Sequence, residues 1–85
     1  MSTLSEKEKD FYVKSKSFSL NNVGLIYKHK GAYDQAITYY QKALELSESV
    51  NDKKGIANSY NNIANICRNQ GNYAKAIDLY MKGLK

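Results

Sequence analysis

The chain repeats itself at an offset of forty positions. Ser19 to Glu45 aligns without a gap on Ser59 to Lys85. Asn21-Asn22 recurs as Asn61-Asn62, Ile26 as Ile66, Gly31 as Gly71 and Tyr33 as Tyr73. Ala36-Ile37 returns as Ala76-Ile77, Tyr40 as Tyr80, Lys42 as Lys82 and Leu44 as Leu84. A unit recurring with a period of about 20 to 50 residues buries its apolar face only against its neighbours, so the fold is constrained to a stacked solenoid. Such arrays hold surfaces in space, which directs the functional reading towards binding rather than chemistry.

With 85 residues the chain suffices for one domain with a thin core. It has no proline, so nothing in the sequence forces a helix to break. The formal charge of +5 comes from 13 basic and 8 acidic residues scattered along the chain. A nucleic-acid surface gathers its cations on one face, so dispersed charge of this kind reads as a solvated surface. The net excess still biases a partner towards acidic peptides or proteins. Cys67 stands alone and has no internal disulfide partner, as suits a reducing compartment. No window approaches the roughly 18 apolar residues of a membrane span, and no leader-like segment opens the chain. A cytoplasmic location is therefore expected.

Periodicity and punctuation predict four helices. Ser5 and Glu8 have capping-box spacing, so the first helix begins near Glu6 and runs to about Lys30. Gly31 supplies the left-handed residue that commonly ends a helix. The second helix spans about Tyr33 to Ser49, and Asn51-Asp52 is expected to turn the chain and cap the third helix. That helix runs from about Lys53 to Gln70 and stops at Gly71, and the fourth starts near Tyr73. The short connections fold each pair back as an antiparallel hairpin. Tyr60, Ile63, Ala64 and Cys67 form one packing stripe, matched by Leu20, Val23, Gly24 and Tyr27. On the partner helices the stripe is Tyr33, Ala36, Tyr40, Ala43 and Leu44, matched by Tyr73, Ala76, Tyr80, Gly83 and Leu84. Gly24 or Ala64 leaves room for a facing aromatic ring.

These residues carry a family resemblance. Val23-Gly24, Tyr27, Gly31, Tyr33, Ala36, Tyr40 and Ala43-Leu44 resemble the tetratricopeptide repeat signature, as do Tyr60, Ile63-Ala64, Gly71, Tyr73, Ala76, Tyr80 and Leu84. The period is longer than the usual one of about 34 residues. Together with Asp52-Lys53-Lys54-Gly55 it resembles the long form found in kinesin light chains, Pins-type scaffolds, and bacterial Rap-type and sensor-kinase arrays. The resemblance implies an all-α solenoid of antiparallel helix hairpins, a fragment of a right-handed superhelix. Its parts would be an N-terminal helical extension over 1–17, one repeat over 18–52 and a second over 53–85. Two departures are visible: no proline follows either second helix, and Cys67 stands where Tyr27 gives an aromatic.

The third helix carries Asn58, Asn61, Asn62, Asn65 and Asn69. Asparagine costs about 0.5 kcal/mol relative to alanine inside a helix, so five cost about 2 to 3 kcal/mol that something should offset. At about 100° per residue, Asn58, Asn62, Asn65 and Asn69 fall on one face, away from the packing stripe. The preceding repeat puts Phe18, Asn22, Leu25 and His29 at matching places, with Lys28 and Arg68 on the flank. In tetratricopeptide arrays the first helix of each pair lines the concave groove, and the resemblance implies that these residues face it. Carboxamides both donate and accept, so a ladder of them suits the backbone of an extended peptide. Phe18 and Leu25 would add apolar pockets, while Lys28, His29 and Arg68 would favour acidic side chains. For Asn22 and Asn62 a purely structural role between helices is the standing alternative. A carboxylate clamp of the chaperone-binding type is not expected, since Asn21 and Leu25 stand where it wants a basic residue and an asparagine.

No residue set points to catalysis, a cofactor or a metal. His29 has no acidic or cysteine partner at ligand spacing. Cys67 sits on the apolar stripe, as a structural thiol does. Gly31 and Gly71 are single-glycine helix stops rather than phosphate loops. One further pattern stands out: Leu4, Phe11, Phe18 and Leu25 recur every seven residues. A continuous first helix makes them a second apolar seam, suited to self-association or to folding over the groove. A break near Ser15 to Ser17, the version the sequence favours, makes Phe11 and Tyr12 a cap on the leading edge instead. Ile77, Tyr80 and Leu84 form an apolar edge expected to pair with another copy, as a homo-oligomer, or with further repeats of a longer array. The chain thus reads as a non-catalytic protein- or peptide-binding module, with a structural or oligomerisation module as the alternative and no role with nucleic acid or membrane.

Overall fold

A computed structural model describes residues 5–84. They form four helices: α1 Glu6–His29, α2 Tyr33–Ser49, α3 Lys53–Asn69 and α4 Tyr73–Gly83. There is no strand among the described residues. Successive helices pack in order, α1 on α2, α2 on α3 and α3 on α4, and a thinner contact joins α1 to α3. The result is the all-α stack of two helix hairpins that the repeat requires.

Each boundary has its origin in local chemistry. Ser5 Oγ accepts from the Glu8 amide at 3.2 Å while Glu8 Oε1 accepts from the Ser5 amide at 3.0 Å, closing the capping box. These bonds, the one from the Ser5 backbone foremost, hold the Glu8 carboxyl below its usual range. The three connections share one turn. Gly31, Asn51 and Gly71 adopt φ of 78°, 53° and 83°. In each, the residue with positive φ donates to the carbonyl three back and the next residue donates to the carbonyl five back. The pairs are Gly31 to Lys28 with Ala32 to Tyr27, Asn51 to Glu48 with Asp52 to Ser47, and Gly71 to Arg68 with Asn72 to Cys67. This is the Schellman arrangement, and asparagine is the next residue after glycine to tolerate it. Asp52 occupies the position before α3 but makes no side-chain cap bond, contrary to the capping role expected for it.

The break expected near Ser15 to Ser17 does not occur: α1 is one helix of 24 residues. Ser17 is buried, and its hydroxyl donates to the Ala43 carbonyl at 3.0 Å while pairing with Ser47 Oγ at 2.8 Å. A serine whose hydroxyl is engaged across the helix contact has no reason to compete for its own backbone. Phe11, Phe18 and Leu25 therefore share one continuous helix, and all three are exposed. Leu4, the first residue of that heptad series, lies outside the described residues.

The core gathers Ala36, Tyr40, Ile63, Ala64, Ile66, Cys67 and Ala76, with Tyr27, Tyr33, Ile37, Leu79 and Tyr80 partly buried against it. Gly24 faces an aromatic ring as expected, and the ring is that of Tyr40: a Cβ on Gly24 would stand 2.7 Å from it. Two buried residues of α3, Ser59 and Ile66, lie off the stripe expected from the sequence. Helix α3 lies between α2 and α4, so its covered arc is wider than one packing partner requires. Conversely Tyr73 and Leu84, placed on the α4 stripe, are exposed. Tyr80 is half-buried rather than part of an open edge, because its hydroxyl reaches Asn65.

Candidate functional site

Helices α1 and α3 run side by side and leave a shallow trough between them. Phe18, Asn21, Asn22 and Leu25 from α1 and Asn58, Asn61 and Asn62 from α3 line a cavity of about 380 Å³. All but Phe18 and Leu25 of these side chains are carboxamides. Asn62 Nδ2 donates to Asn21 Oδ1 at 3.4 Å, a long bond, and Asn22, Asn58 and Asn61 beside it are exposed. A second cavity of about 240 Å³ continues from it, shares Phe18, Asn21 and Asn58, and adds Lys14, Lys54 and Asp52. The trough is therefore amide-lined in its middle, with an exposed aromatic ring at Phe18 and, at one end, the two ammonium groups of Lys14 and Lys54 with the Asp52 carboxylate.

Of the residues predicted from the sequence, five lie in this trough: Phe18, Asn22, Leu25, Asn58 and Asn62. The other five do not line it. Asn65 is half-buried and its carboxamide oxygen accepts from the Tyr80 hydroxyl, which ties α3 to α4. That bond is what offsets the poor helix propensity at this position. Lys28 is half-buried, and His29, Arg68 and Asn69 are exposed in the last turns of α1 and α3. Basic side chains there complement the negative ends of the helix dipoles.

The sequence pattern alone did not bring Asn21, Asn61, Lys14 and Lys54 into the site. The first pair is visible in the repeat but lies at an angle assigned to the flank. The second pair also stands at the forty-residue offset, just ahead of the aligned stretch. Extending that alignment towards the N-terminus finds it. Among the described residues no three His, Cys, Asp or Glu side chains gather as metal ligands. No helix of the described residues is long and apolar enough to cross a membrane.

A family model for the tetratricopeptide repeat matches residues 17–85. No curated protein and no solved structure gives a significant match. The match covers both hairpins, from the buried Ser17 of α1 onwards, and joins the two turns at Gly31 and Gly71 in one pattern. The chain belongs to the tetratricopeptide repeat family.

Proposed function

We propose that this chain is a non-catalytic interaction module that holds an extended, acidic peptide in the α1–α3 trough. Tetratricopeptide repeats mediate protein–protein interaction, and the trough is the described surface best suited to it. The observation that supports the reading is the meeting of carboxamides from both repeats, Asn22 on α1 with Asn58 and Asn62 on α3, beside the apolar Phe18 and Leu25. Amides match peptide backbone, the apolar pair takes alternate side chains, and Lys14 and Lys54 attract carboxylates. Lys28, His29, Arg68 and Asn69 extend the same basic and amide character towards the C-terminal ends of the two helices. The net charge of +5 steers acidic partners without favouring one of them. The dispersed cations give no nucleic-acid stripe, and the free, buried Cys67 suits a reducing, cytoplasmic setting.

The test is an array of extended Asp- and Glu-rich peptides, followed by fluorescence anisotropy on those captured. Binding that weakens at least tenfold in Asn62→Ala, with helicity unchanged, supports the reading. Equal binding by Asn62→Ala removes the trough from it.

A second reading, a structural or oligomerisation module, is favoured by a separate observation. Tyr73, Ile77 and Met81 on α4, with Leu84 at its C-cap, leave an apolar strip exposed. A strip of this kind marks an interaction surface when contiguous.

A further inference from the structure

The forty-residue repeat provides an internal control for every exposed apolar side chain. Ile66 on α3 is fully buried, yet its counterpart Ile26 on α1 is 54% exposed. Tyr33 and Ile37 on α2 are partly buried against the core cluster that contains Ile66. Their counterparts on α4, Tyr73 and Ile77, are 63% and 59% exposed. Leu44 is half-buried and Leu84 is 85% exposed. In the three pairs within helices the residue type is identical and only the covering differs, whereas Leu84 caps α4 where Leu44 lies inside α2. What covers the buried members is known: the α2 face of one hairpin lies on the α3 face of the next.

We propose that a second copy of this chain covers both open faces, stacking head to tail. The α4 face of one molecule, Tyr73, Ile77 and Leu84, seats on the α1 face of the next around Ile26. The contact repeats the α2–α3 packing already present inside each molecule. The occupant is a second copy because each face meets, in the chain's own interior, the surface that the other end displays. Such a contact joins two different patches, so it leads to an open stack or a closed ring of several copies rather than a two-fold dimer. Each copy carries +5, so association strengthens as salt screens their repulsion.

This inference rests on the assembly reading and makes it specific. The test uses the full chain with two variants, Ile26→Lys and Ile77→Lys, each at an exposed position where the fold tolerates a charge. Circular dichroism establishes that both keep the parent helicity. In sedimentation velocity at moderate salt, the parent is expected to grow past the mass of a dimer as concentration rises. Each variant alone is expected to stay monomeric, because one of its two faces is blocked. An equimolar mixture is expected to form a dimer and stop there, since the good α4 face of Ile26→Lys meets the good α1 face of Ile77→Lys. A parent that stops at dimer, with one variant still dimerising by itself, overturns head-to-tail stacking while leaving self-assembly standing. A parent that is monomeric at every concentration and salt overturns both.

Discussion

The ring of Tyr40 occupies the space that a side chain on Gly24 would need: a Cβ there would lie 2.7 Å from Cε1 and 2.8 Å from Cδ1. The ring is fully buried, so it has no room to move aside. Gly24→Ala gains about 1 kcal/mol of helix propensity but overpacks a rigid contact, which typically costs about 1 to 3 kcal/mol. A net loss of stability in urea denaturation is expected, with the helix content of the folded state unchanged. A gain would show that α1 and α2 are not held this closely.

The same tyrosine carries a second signature. Its hydroxyl is buried and finds no hydrogen-bond partner among the described residues, and burial pushes the phenol above its ordinary value of 10.0. Tyr40→Phe removes an unsatisfied polar group, so stability at neutral pH should hold or rise by about 1 kcal/mol. Because the folded state keeps the proton longer than the unfolded state, the parent loses stability as pH rises above about 10. Tyr40→Phe should lose less over that window. Matching alkaline profiles for parent and variant would contradict the burial of this ring.

Ser17 and Ser47 form the polar link that keeps α1 unbroken against α2. Ser17→Ala leaves the Ser47 hydroxyl buried without its partner, a change that costs about 1 to 3 kcal/mol. Ser17→Ala with Ser47→Ala should cost less than the sum of the two single changes, because both groups vanish together. Thermal unfolding of the four proteins in the cycle reads this directly. Strict additivity would mean that the two hydroxyls do not interact.

Asn62 and Asn65 stand three residues apart on α3 and separate the two roles that asparagine plays there. Asn65→Ala removes the acceptor of the Tyr80 hydroxyl, so it should destabilise by about 1 kcal/mol despite alanine's better helix propensity. Asn62→Ala gives up only a long bond to Asn21 and should be neutral or slightly stabilising. Denaturant midpoints for the two variants should therefore move in opposite directions or differ clearly in size.

The division between features legible in the sequence and features that were not has a physical basis. Helix ends at Gly31 and Gly71, the turn at Asn51, and the room left at Gly24 for an aromatic ring were all legible, though not that Tyr40 is the ring that fills it. Each depends on local backbone chemistry or on periodicity within one helix. The continuity of α1 was not, because what settles it is a pair of partners 26 and 30 residues away, the Ala43 carbonyl and the Ser47 hydroxyl. Burial of Ser59 and Ile66 escaped for a related reason: a single-helix stripe does not record that α3 is covered on two sides. Five of the ten residues expected from the sequence line the trough, Asn58 and Asn62 from the amide spacing and Phe18, Asn22 and Leu25 from the matching positions of the first repeat. Asn65 left it because a phenol from the following helix claims its carboxamide; Lys14 joined it because α1 runs unbroken past the trough, and Lys54 because it stands in the first turn of α3 at the same end.

The measurement that most directly tests the trough as a binding surface is a backbone and side-chain amide NMR titration of the full chain with a captured acidic peptide. The carboxamide signals of Asn21, Asn22, Asn58, Asn61 and Asn62 should shift together, with the Phe18 ring, while Lys42 and Glu45 on the α2 side stay fixed. Shifts confined to Lys42, Glu45 and their neighbours, with the amide cluster silent, would contradict the account.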